Sequence, residues 1–198
     1  MPLHNLVRRL TFALMLIAAV SLLLLSGCSK GGGNSLHVKS PAAGEKDVAI
    51  KSCYAYAVTK TFTDITGKMT TAATYNFSAA NYDLDAANFG MTLDKPMTSD
   101  ENVRVMFSLV GDEGTKDNAP LKAGTYSAKA DKYMKAETVG IVTRKGGAET
   151  KTWLDRSTLN GQVKITSVSD DSASGDIDVT AGDITIKGSF TAKILKRK

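Results

Sequence analysis

Histidine, cysteine, proline and tryptophan are all scarce in this chain of 198 residues, which holds two histidines, two cysteines, four prolines and one tryptophan. Two cysteines cannot build a disulfide framework. One of the histidines, His4, lies at the extreme N-terminus ahead of an apolar run, in a segment read below as a cleaved signal, so a Ser-His-Asp or Cys-His centre would have to rest on His37 alone. Neither an EF-hand spacing nor a Gly-Gly-x-Gly-x-Asp repeat is present to gather oxygen ligands for calcium. Charge of one sign is not in excess either: 25 basic against 20 acidic side chains give a formal +5. That is too mild to imply a nucleic-acid partner. Nothing in the composition announces an enzyme, a cofactor site or a metal site, and a non-enzymatic role is expected.

What is present begins at the N-terminus. Arg8 and Arg9 precede an apolar run over 10–25, and the small residues Ser26 and Gly27 lead to Cys28. These are the three parts of a secretory signal. The run is 16 residues long, short of the ~18–20 that span a bilayer as a helix. Leu25-Ser26-Gly27-Cys28 resembles the lipobox of bacterial lipoproteins. The resemblance implies cleavage before Cys28 and lipidation of that residue by a thioether-linked diacylglycerol and an acylated amine. Two or more acyl chains give stable anchoring where one does not. Ser29 follows, where an Asp would imply retention at the inner membrane, so the family rule points to the outer membrane, at its periplasmic face or the cell surface.

Removing residues 1–27 takes away two arginines and no acid, leaving 23 basic and 20 acidic side chains in a mature chain of 171 residues with a formal +3. That length suffices for one domain with its own core. Cys53 is left as the single free thiol, and it reads as a small buried packing residue. Residues 28–44 form the lipidated cysteine and a Gly/Ser-rich segment expected to be a flexible tether, which would place His37 on a floppy segment. Residues 45–198 are expected to be the folded domain.

Within that domain the dominant period is two. Val48, Ile50, Tyr54, Tyr56 and Val58 alternate with Lys51, Cys53, Ala55 and Ala57. A turn at Thr66-Gly67-Lys68 and a Thr-rich run over 69–79 complete a long hairpin. Residues 80–90 are expected to be strand or irregular. Residues 103–110 alternate Val103, Val105, Phe107 and Leu109 against polar partners. A polar loop over 111–119 is followed by residues 120–126, which lead into another strand, and helix formers over 127–137 permit a short helix. Lys145-Gly146-Gly147 reads as a hairpin turn between 138–143 and 150–154. The stretches 159–168, 175–180 and 183–195 form three strands, each with one apolar face, the pattern of an antiparallel meander. The fold class is therefore all-β: a single antiparallel β-sandwich or small β-barrel. The pieces at 120–126, 161–166, 174–177 and 187–192 are similar to uncharacterised all-β bacterial lipoproteins, a resemblance that implies fold and no activity.

Few side chains invite a functional reading. Asp170, Asp171, Asp176, Asp178 and Asp183 cluster in sequence, but Asp176 and Asp178 alternate with Ile177 and Val179 and read as a solvated face. Trp153, Tyr54, Tyr56, Tyr126 and Tyr133 are either core or a binding surface. Lys193, Lys196, Arg197 and Lys198 form a basic end that suits anionic lipid. The expected partners are the membrane, through Cys28, and either an envelope protein or a small apolar ligand held in a calycin-like barrel.

Overall fold

Eleven strands follow from these alternations, and their pairing is shown by a computed structural model that describes residues 34–88 and 95–196. They are β1 (Ser35–Ser40), β2 (Gly44–Ala49), β3 (Ser52–Thr63), β4 (Met69–Ala80), β5 (Val103–Glu113), β6 (Gly124–Ser127), β7 (Lys135–Lys145), β8 (Ala148–Trp153), β9 (Asn160–Val168), β10 (Ser172–Ala181) and β11 (Ile184–Leu195). One antiparallel layer runs β3–β4–β5–β7–β8. The other runs β6–β9–β10–β11–β1–β2.

Two short parallel contacts join the layers: Ser127↔Lys135 between β6 and β7, and Lys193↔Tyr54 to Leu195↔Tyr56 between β11 and β3. The result is an all-β sandwich whose ladder returns on itself at two thin seams. All the other pairings are antiparallel, as expected, and these two short seams are the parallel exceptions.

Between the layers lies one apolar core. Phe77 on β4 stacks on Phe107 of β5, with ring centroids 4.6 Å apart and planes 7° apart. Phe190 of β11 meets both edge-on, at 5.5 Å from Phe77 and 5.1 Å from Phe107. All three are buried, together with Val105, Leu109, Ile141, Val163, Ile165, Ile177, Val179 and Ile186. The alternation read from the sequence over β5, β9, β10 and β11 thus points its apolar members inward. The Gly146-Gly147 turn has positive φ at both residues (58° and 90°), the geometry a two-residue hairpin demands.

Three readings change. First, the stretch 28–44 is not all tether: Ser35–Ser40 is strand β1 and β2 begins at Gly44. Leu36 and Val38 are buried beside Val48; two apolar residues in six were too few to stand out beside the glycines. Gly188 seats this strand on β11: its φ is +141°, and a Cβ there would lie 2.3 Å from the Ser35 carbonyl oxygen.

Second, the alternation from Val48 onward changes phase. Val48 and Ile50 are buried, and then Cys53 and Ala55 are, because the chain turns a corner between β2 and β3. Tyr54 and Tyr56 therefore leave the core. Third, no helix forms over 127–137. The chain reverses there to make the β6–β7 seam, with Met134 at φ 48° and the Ser127 amide donating to the Met134 carbonyl at 3.0 Å. The reading of 80–90 as strand or irregular holds over the described residues, with one 3-10 turn at Ala86–Asn88; residues 89 and 90 lie outside the described set.

If the phenylalanine trio holds the layers together, Phe190→Ala should cost about 3–5 kcal/mol of unfolding free energy. Urea denaturation followed by circular dichroism measures it, and a loss under about 1 kcal/mol would remove the trio from the centre of the account.

Candidate functional site

The phenylalanines fill the middle of the sandwich, so room is found at one mouth. There the inward side chains of β3 shrink to Ala55 and Ala57, and the β11–β3 seam ends at Leu195. A slot of about 460 Å³ opens at this point. Its apolar lining includes Ala55, Ala57, Tyr75, Leu121, Val168 and Ile194; Asp117, Asn118, Ser169, Asp170 and Lys196 stand among its polar residues. The volume lies within the roughly 300–1,000 Å³ of small-molecule sites.

Both walls are fixed by hydrogen bonds. On one side the β5–β6 loop is tied down along its length. The Thr115 hydroxyl donates to the Asp112 carbonyl (2.6 Å) and accepts from the Ala73 amide (2.9 Å). The Asp117 amide donates to the Thr59 hydroxyl at 3.0 Å. The Tyr75 hydroxyl donates to the Ala119 carbonyl, and the Tyr126 hydroxyl to the Lys122 carbonyl, each at 3.0 Å. On the other side the Ser169 amide donates to the Ser172 carbonyl (2.8 Å), and the Ile194 amide to the Asp171 carbonyl (2.7 Å). A slot with such walls needs little ordering when it is filled.

Burial sets the chemistry of three acids here. Desolvation pushes the Cys53 thiol up to about 12. Desolvation is also the main cause for the two tyrosines: it raises Tyr126 to about 12, with Asp112 adding repulsion, and lifts Tyr75 above the usual phenol range, helped by Tyr126 and Asp112. A protonated thiol is a poor nucleophile. Cys53 is a buried packing residue, as its surroundings of alanine suggested.

The other sequence candidates separate. His37 does not sit on a floppy segment: it stands half-exposed on β1, with Nδ1 2.9 Å from Asp47 Oδ1 and Nε2 3.4 Å from Glu45 Oε1, both on β2. Asp170 reaches the slot. Asp171 accepts from the Ser169 hydroxyl at 3.0 Å, Asp178 pairs with Lys187 at 3.2 Å, and Asp183 lies in the turn at the far end of β10. The five aspartates are thus spread over β10 and the turns at its two ends, and the described residues contain no grouping of acids, histidine or cysteine fit to hold a metal ion.

Of the aromatic residues, Tyr126 is core and Tyr133 bonds Thr70 at 2.7 Å. Trp153 lies over Gly140, half-exposed, with the Lys151 ammonium 4.5 Å from its ring. Tyr56 alone among them lines the slot. Lys196 reaches it too, while Arg197 and Lys198 lie outside the described residues, as does Cys28. Tyr75, Leu121 and the paired alanines were missed; the Ala-x-Ala spacing at 55 and 57 is the signal that marked a thin place in the wall.

The raised thiol and phenols carry a pH signature. In the unfolded chain they ionise near about 8.5 and 10, whereas the folded chain keeps its protons to higher pH. The folded state therefore binds more protons, and stability is complete below about pH 8 and falls as pH rises toward 12. Urea midpoints across that range should decline, and Cys53→Ala should decline less steeply. An equal slope in both proteins would contradict the assignment to Cys53.

Compared with known proteins, the chain matches no family model, no curated protein and no solved structure.

Proposed function

We propose that this chain is a lipid-anchored lipoprotein of the bacterial outer membrane whose β-domain is a non-enzymatic binding module. The mouth slot receives a small ligand with an apolar body. The observation that carries the binding reading is the slot itself, an opening of about 460 Å³ with an alanine, leucine and isoleucine floor, a polar rim and hydrogen-bonded walls. Such concave, mostly apolar and pre-formed openings are where small molecules bind. The anchoring reading rests on Leu25-Ser26-Gly27-Cys28.

A calycin-like barrel would hold its ligand centrally, where Phe77, Phe107 and Phe190 already pack. The ligand proposed here sits at the mouth instead, against Ala55 and Ala57.

Two experiments separate the anchor from the slot. Metabolic labelling with palmitate should mark the chain and leave Cys28→Ser unmarked, with residues 1–27 retained; equal labelling of both would refute the lipobox. Ala57→Phe should fill the slot. Native mass spectrometry of protein taken gently from its host envelope should show a bound small molecule that this variant loses while its circular dichroism is unchanged. A bare mass for the parent protein would count against a ligand in the slot and favour surface recognition of an envelope protein.

A further inference from the structure

Large apolar side chains are exposed at three described positions, and two of them, Ile65 and Met69, belong to the β3–β4 hairpin. Ile65 stands fully clear of the protein at the tip, and Met69 is 68% exposed just below it. The turn that presents them is rigid. Asp64 Oδ1 accepts from the Thr66 amide (2.8 Å), the Thr66 hydroxyl (2.7 Å) and the Lys68 amide (3.0 Å), and the Asp64 amide donates to the Lys68 carbonyl at 3.0 Å. The Thr66 hydroxyl is the first cause holding the Asp64 carboxyl below its usual range, and Lys132 adds its charge. The one acid of the turn is thus engaged by its own loop, with Lys68 and Lys132 beside it. An apolar apex collared by lysine matches a surface that is greasy inside and anionic at its rim.

The path of the chain puts such a surface within reach of the tip. Five residues lie between Cys28 and Asn34, so the six steps span at most about 22 Å of chain. Asn34 is fixed where β3 and β11 meet: its carbonyl accepts from the Ile50 amide at 2.7 Å, and its side chain accepts from the Thr191 amide at 2.8 Å. From that corner β3 runs 12 residues to the tip, about 40 Å of strand. Entry point, slot and tip lie along the same strand. A lipid at Cys28 therefore keeps Asn34, at the foot of β3, within about 22 Å of the bilayer, and a domain that lies with β3 along the membrane brings its hairpin tip to the head groups.

We propose that the β3–β4 tip is a second membrane contact. Ile65 and Met69 enter the head-group region of the bilayer that holds Cys28, and Lys68 and Lys132 meet its phosphates. The inference rests on the lipid anchor proposed above and is separable from it by experiment.

The test uses the full lipidated chain in vesicles of phosphatidylethanolamine and phosphatidylglycerol. An environment-sensitive fluorophore is placed on Ile65→Cys, and on Asp183→Cys at the β10–β11 turn as a control. Cys53 is buried and keeps its proton, and Cys28 carries lipid, so the label goes to the introduced thiol. Expected are quenching by spin-labelled lipid several-fold greater at 65 than at 183, shielding of 65 from aqueous iodide, and loss of both when Lys68→Glu is added. Vesicle flotation with position 65 as open to iodide as 183 would overturn the second contact while leaving the anchor intact. A chain that does not float with the vesicles would overturn both.

Discussion

The packing of Phe190 against Phe77 and Phe107 is the constraint on which the rest of the molecule depends. Two of these rings belong to one layer and the third to the other. Hydrogen bonds between the layers are few: one paired position at the β6–β7 seam and three at the β11–β3 seam. Apolar contact across the interior must therefore hold the sandwich shut, and aromatic pairs add about 0.5–1.5 kcal/mol each beyond the area they bury. The same rings decide where a ligand can go. They occupy the middle, and space is left where β3 offers Ala55 and Ala57 at the mouth.

The seams are short for a geometric reason, and the fold protects them. β7 meets β5 along one edge and shares the other between β6 and β8. β11 meets β10 along one edge and shares the other between β1 and β3. Each corner is thus covered by an antiparallel neighbour that continues the layer past the point where the parallel contact ends. The strands left at the layer edges, β2 and β8, carry Glu45, Lys46, Asp47, Glu149 and Lys151. Charge on an open edge discourages pairing with another chain.

Much of this was legible because period two is a direct imprint of a buried face. Val103 to Leu109, Val163 with Ile165, and Ile177 with Val179 all point inward as their spacing requires. Gly146 and Gly147 also announce their turn, since positive φ at both positions excludes nearly every other pair. What stayed hidden depends on partners far away in sequence. β1 has two core residues and is held by Gly188, which lies over 140 positions later. The phase change at the β2–β3 corner moved Tyr54 and Tyr56 outward, and no local pattern marks a corner. The slot is assembled from β3, β4, the 117–121 loop, the β9–β10 turn and the end of β11. Its residues are unremarkable one by one, and only their convergence makes a site.

The most direct test of the central claim is native-state hydrogen exchange at the amides of Phe77, Phe107 and Phe190. If the trio locks the layers, strands β4, β5 and β11 exchange at these positions only by global unfolding, with one common free energy equal to that from denaturation. The β3–β4 tip and β8 open at lower cost. Exchange of the β11 amides through a separate, cheaper opening while β4 and β5 stay protected would contradict it, and the layers would then be held by something other than these three rings.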